Sequence, residues 1–81
     1  MAEYPIKMPQ QLGAVLQGYR KERGLTQQAV GSKVGLAQKA VSKIELDAGR
    51  SGLNLIFKVL AALDLELVVR PRGTSGRRSE W

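Results

Sequence analysis

Three glycine-bearing breaks, at Gly24, at Gly35 and across residues 47–52 (DAGRSG), cut residues 9–63 into four short runs whose apolar residues recur at helical spacing. In the first run Leu12, Val15, Leu16 and Tyr19 fall at i, i+3, i+4 and i+7, with Gln11, Gln17, Arg20 and Lys21 between them. Pro9 suits a first helical turn and Gly24 follows the charged stretch RKER, so a helix is expected over about 9–23. Thr26 is a good N-cap for a second helix, whose buried side is Ala29, Val30 and Val34 and whose end is Gly35. A third helix is expected over about 37–45. It carries Val41 and Ile44 on one face and Gln38, Lys39, Ser42 and Lys43 on the other.

The fourth run, LNLIFKVLAAL at 53–63, is apolar nearly all round. Leu53, Ile56, Phe57 and Leu60 form one stripe, and Leu55, Val59 and Ala62 a second. Such a helix needs cover on both sides, and in 81 residues a second copy of the chain is the economical source. Residues 65–70 (LELVVR) are β-branched, partly alternating, and closed by Pro71, so they read as one strand. A lone strand leaves its backbone groups unpaired, and antiparallel pairing with the same strand of a twofold mate satisfies them. The expected dimer interface is therefore Leu55 and Val59 with Leu65, Leu67, Val68 and Val69. The alternative is that the fourth helix simply continues. The fold class expected is mainly α: four helices and one C-terminal strand. The chain divides into an arm (1–8), a helical domain (9–64), a dimerisation strand (65–72) and a Gly/Ser/Arg-rich tail (73–81).

Composition narrows the function. There is no cysteine and no histidine, which removes thiolate metal sites, thiol nucleophiles and the usual general base. The seven acids are scattered and no glycine-rich phosphate loop is present. Glu45 and Asp47 at a helix end make a poor pair for carboxylate chemistry, so an enzyme is not expected, nor a cofactor or a metal. No signal-peptide pattern opens the chain and no run approaches the roughly 18 apolar residues of a membrane span. A cytoplasmic protein is expected. Net charge is +6, and residues 70–81, with four Arg against one Glu, carry half of it. That balance suits a polyanionic partner, although many small soluble proteins are as basic.

Residues 27–44 carry a more specific signal. Val30 and Val34 face inward on one short helix, Gly31 is small where two helices must approach, and Gly35 occupies a turn where positive φ is cheapest for glycine. Leu36, Val41 and Ile44 anchor the helix that follows. An ordinary αα-hairpin is the plainer reading of the same pattern. The run GLTQQAVGSKVGLAQKAVSKIE resembles the repressor-type helix-turn-helix of the Cro/C1 (XRE) family, with similarity over residues 10–63. Gly31 stands where that family usually has alanine, and Ala37 where a Ser or Thr cap is common; each departure weakens its helix by about 1 kcal/mol.

The resemblance implies that the third helix enters the major groove. Gln38, Lys39, Ser42 and Lys43 then face bases and phosphates, Gln38 suiting adenine and Lys39 or Lys43 guanine or phosphate. It also implies a phosphate contact from Gln27 at the start of the second helix, with Thr26 beside it and Arg50 as a further phosphate candidate. Arg20 and Glu45 are implied as a structural ion pair. A four-helix domain running directly into one strand is similar to the HipB-type antitoxins, homodimers that bind a palindromic operator and a HipA-type kinase toxin. On that resemblance Trp81 is a candidate anchor into the partner. A stand-alone repressor and a helix-turn-helix protein adaptor are the other readings open at this point.

Overall fold

Leu16, Val30, Val41, Ile44, Val59 and Leu63 are the largest fully buried side chains, and all four helical runs contribute to them. In the computed structural model, which describes residues 3–72, the elements are α1 (Pro9–Glu22), α2 (Gln27–Val34), α3 (Gln38–Leu46), a 3₁₀ turn (Ala48–Arg50) and α4 (Leu53–Ala62). These bounds lie within a residue or so of those expected from glycine placement and apolar spacing. Leu12, Val15, Leu25, Val34, Leu36, Leu55 and Leu65 pack around the buried cluster.

Helix ends explain the path of the chain. After α1, the Gly24 N–H donates to the Lys21 carbonyl (3.0 Å) and the Leu25 N–H to that of Arg20 (3.1 Å), with Gly24 at φ +69°. After α4 the same closure recurs: the Asp64 N–H donates to the Ala61 carbonyl (3.1 Å) and the Leu65 N–H to that of Leu60 (2.8 Å). Here the left-handed residue is Asp64, at φ +59°, the one non-glycine with positive φ among the described residues. The Schellman closure ends α4 and removes the reading in which that helix continues through residue 70.

Two glycines permit close helix approach. A Cβ at Gly13 on α1 would lie 2.3 Å from the Glu45 carbonyl oxygen at the end of α3. One at Gly31 on α2 would lie 2.2 Å from the Leu36 carbonyl oxygen. Gly31 is thus small where the two helices approach, as expected from sequence, and at this turn glycine is the residue the backbone leaves room for.

The expected interface residues separate into three groups. Val59 is 1% exposed and belongs to the core of its own chain, so its assignment to a dimer face is corrected. The reason is rotational: the stripe containing Ile56, Val59, Leu60 and Leu63 turns inward and leaves Leu53 and Phe57 outside. Leu55 and Leu65 are half-buried, packed against the core from its edge. Leu67, Val68 and Val69 are exposed, Val69 at 90%. Residues 65–70 form neither helix nor strand within the single chain. A ladder needs a second extended segment, and none pairs with them among the described residues.

The N-terminal arm lies against the body. Tyr4 stacks edge-on against Tyr19, with ring centroids 5.8 Å apart, and Arg70 donates to Glu3 at 2.9 Å. The tail from residue 73, Trp81 included, lies outside the described residues.

Candidate nucleic-acid interface

Val41 and Ile44, at 0% and 1% exposure, fix the inner face of α3. Helical geometry then turns Gln38, Lys39 and Lys43 outward, where all three are exposed, while Ser42 is half-buried at the edge of that face. Among the described residues no carboxylate ion-pairs with Lys39 or Lys43. The outward side of α3 is thus polar and net positive, and both lysines are free to meet an anionic surface. Ala37 precedes α3 in a β conformation without a side-chain cap.

α2 abuts this face. Thr26 is its N-cap: Oγ1 accepts the Ala29 N–H at 3.0 Å, so capping accounts for this residue. Gln27 is engaged inside the protein. Its Nε2 donates to Glu45 Oε1 at 3.0 Å, and its Oε1 accepts from Gln38 Nε2. The phosphate role expected for Gln27 is thereby narrowed to whatever the remaining Nε2 hydrogen can reach. Arg50 stands on the 3₁₀ turn with its side chain 83% exposed, 3.6 Å from Asp47 in a loose surface pair.

Beneath the face sits the pair that the resemblance implied. Arg20 Nε donates to Glu45 Oε2 at 2.6 Å and its Nη2 to Oε1 at 3.2 Å, while Nη1 donates to the Leu25 carbonyl at 2.9 Å. Both residues are buried, at 8% and 7% exposure. The guanidinium therefore ties α1, the α1–α2 turn and the end of α3 together, and no buried polar side-chain atom among the described residues lacks a partner.

A shallow polar groove runs between α1 and the start of α3, lined by Gln17, Lys21, Gly24, Thr26, Gln28 and Gln38. Gln17, Lys21 and Gln28 were not singled out from sequence. Gln17 and Lys21 look like any solvated helix face until folding sets them beside Gln38; the one available signal was their i, i+4 placement.

The chain is similar to known proteins over its whole length. Antitoxin HipB from Escherichia coli strain K12 is 28% identical over 87 aligned positions that cover all of this chain and 99% of HipB. Antitoxin HipB from E. coli O6:H1 strain CFT073 is 29% identical, with all of this chain and 93% of that protein covered. Among solved structures, a HipA–HipB–O2–O3 complex and a HipB–O4 20mer complex each contain a chain matching at TM-score 0.83 and 27% identity, covering 86% of this chain and 99% of theirs. No helix of the described residues is long and apolar enough to cross a membrane. A family model described as helix-turn-helix matches residues 16–69. With four short helices, a glycine turn between α2 and α3, and an outward polar face on α3, this chain belongs to the helix-turn-helix family.

Proposed function

We propose that this protein is a sequence-specific DNA-binding repressor of the HipB type, which acts as a homodimer and as the antitoxin of a HipA-type kinase. The observation that carries the DNA reading is the outer face of α3: Gln38, Lys39 and Lys43 project from a helix that Val41 and Ile44 lock against the core. A helix presented in this way enters a major groove, where amide and ammonium groups distinguish base edges. The excess positive charge adds a salt-dependent, sequence-independent attraction. Likeness to HipB chains solved in operator complexes supports the same reading, and likeness to HipB within a HipA complex supports the kinase partner.

In this reading Gln38, Lys39, Ser42 and Lys43 meet the bases and nearby phosphates, with Arg50 and the free Nε2 hydrogen of Gln27 at the backbone. Two copies pair through Leu67, Val68 and Val69, with Leu55 and Leu65 behind them, and read a palindromic operator in the protein's own promoter. Trp81 is the candidate anchor into the kinase. The protein works in the cytoplasm, nucleoid-associated when bound. No chemistry is assigned to it.

The test is twofold. Duplexes from the region upstream of its own gene should bind with half-sites about one helical turn apart, or a multiple of it, and affinity should fall steeply with salt. Co-purification with the product of the adjacent gene should return a kinase-like protein, and truncation at residue 72 should weaken that capture more than operator binding. Salt-insensitive or absent DNA binding overturns the repressor reading. Tight operator binding with no captured protein leaves a stand-alone repressor.

A further inference from the structure

We propose that Leu46 reads the C5-methyl group of a thymine at the edge of the major groove, and so selects thymine over cytosine at one position in each half-site. The inference rests on the DNA-binding reading above and adds an apolar contact to its polar ones.

Helical geometry sets Leu46 among the polar outer residues of α3. At about 100° per residue it falls within about 20° of Lys39 and about 40° of Ser42, and about 140–160° from Val41 and Ile44. Leu46 is 79% exposed, more than any other large apolar residue on a helix of the described residues, and takes no part in the core. Its place is nonetheless fixed. Leu46 is the last residue of α3, inside the turn closed by the Asp47 N–H donating to the Lys43 carbonyl at 2.7 Å. A helical leucine leans back over the preceding turn, here toward Ser42 and Lys43.

Leucine can neither donate to a phosphate nor hydrogen-bond a base edge. In the major groove a duplex offers it the thymine methyl group. That methyl stands on the side of the base nearest its own sugar-phosphate strand, so it lines the groove wall and not the floor. Leu46 lies about 10 Å along α3 from Lys39, at the end that meets the wall when the start of the helix occupies the groove. Arg50, with its side chain 83% exposed, lines the same shallow hollow as Leu46. A phosphate held by Arg50 brings the wall of that strand to the leucine. Contact with the methyl then removes apolar surface of both groups from water, and cytosine at the same place offers no such surface.

The experiment compares the wild type with Leu46→Ala. Selection from random-sequence duplexes should show one thymine preference per half-site that Leu46→Ala loses, with preferences elsewhere and the melting temperature retained. Each thymine of the selected site is then replaced in turn by deoxyuridine, which pairs identically and lacks only the methyl group. At that one position the wild type should bind about fourfold more weakly for each half-site replaced, and Leu46→Ala should bind both duplexes alike. With cytosine there, 5-methylation should restore about fourfold to the wild type and nothing to Leu46→Ala. A selected site at which no thymine methyl matters to the wild type overturns the proposal, by a measurement that needs no variant to fold. So does methyl sensitivity that Leu46→Ala keeps in full, or a Leu46→Ala protein that weakens every sequence equally, as contact with sugar alone would give. A wild type that selects no sequence overturns the DNA reading itself, and the thymine assignment with it.

Discussion

Arg20 on α1 and Glu45 near the end of α3 lie 25 residues apart in sequence and meet through two hydrogen bonds, the shorter at 2.6 Å, with both side chains out of solvent. Burial of both charges makes the pair asymmetric in mutation. Glu45→Ala or Arg20→Ala alone leaves an uncompensated charge and should cost about 3–5 kcal/mol. The double change to Arg20→Met and Glu45→Leu should cost much less than the two single losses added. Urea unfolding of the cycle measures this; additive losses would mean that the pair does not couple.

Gly13 and Gly18 share α1 but not their surroundings. A Cβ at Gly13 would meet the Glu45 carbonyl at 2.3 Å, whereas one at Gly18 meets nothing within 4 Å. Gly18→Ala is expected to stabilise by about 0.5–1 kcal/mol through helix propensity. Gly13→Ala should destabilise by about 1–3 kcal/mol, because α1 must move off α3. Thermal melts of opposite sign check the pair.

Gly31→Ala follows the same logic against a stronger prior. Alanine is the better helix former, and propensity alone predicts a gain of about 1 kcal/mol. The overlap with the Leu36 carbonyl predicts a net loss instead. A rise in melting temperature would show that the α2–α3 turn relaxes more readily than this packing indicates.

Lys39 is exposed on the outer face of α3 and has no ion pair among the described residues. Lys39→Ala should relax base preference at about one position per half-site, at a cost of about 1–3 kcal/mol, and leave the melting temperature nearly unchanged. Selected-site sequencing reads the first and calorimetry the second. An unaltered site would mean that Lys39 meets phosphate or solvent.

Val69 is 90% exposed in the single chain. If residues 65–70 pair across a twofold axis, Val69→Asp removes two buried valines per dimer. It should then raise the dimer dissociation constant by about a hundredfold, judged by area burial. Sedimentation at several concentrations tests this, with Phe57→Asp as the companion variant. Loss of the dimer in Phe57→Asp alone would place the interface on α4.

Much of the site was written in the local sequence. Positive-φ glycines, the Thr26 cap and the Val41/Ile44 spacing act within a few residues, so they placed α2, α3 and the outward side chains before any tertiary contact was known. What no local pattern could decide was the rotation of α4. Its apolar residues go nearly all round, and only packing against α2 and α3 buried Val59 rather than Phe57. The partners of Gln27 were equally out of reach, since a glutamine at a helix start has the same local propensity whether its amide meets water, phosphate or a buried carboxylate 18 residues away. Close approach follows the same division: Gly13 is an unremarked helical glycine in sequence, and becomes a requirement only where α1 crosses the end of α3. Local chemistry sets which way a short helix can start, stop and face; long-range packing sets what it faces.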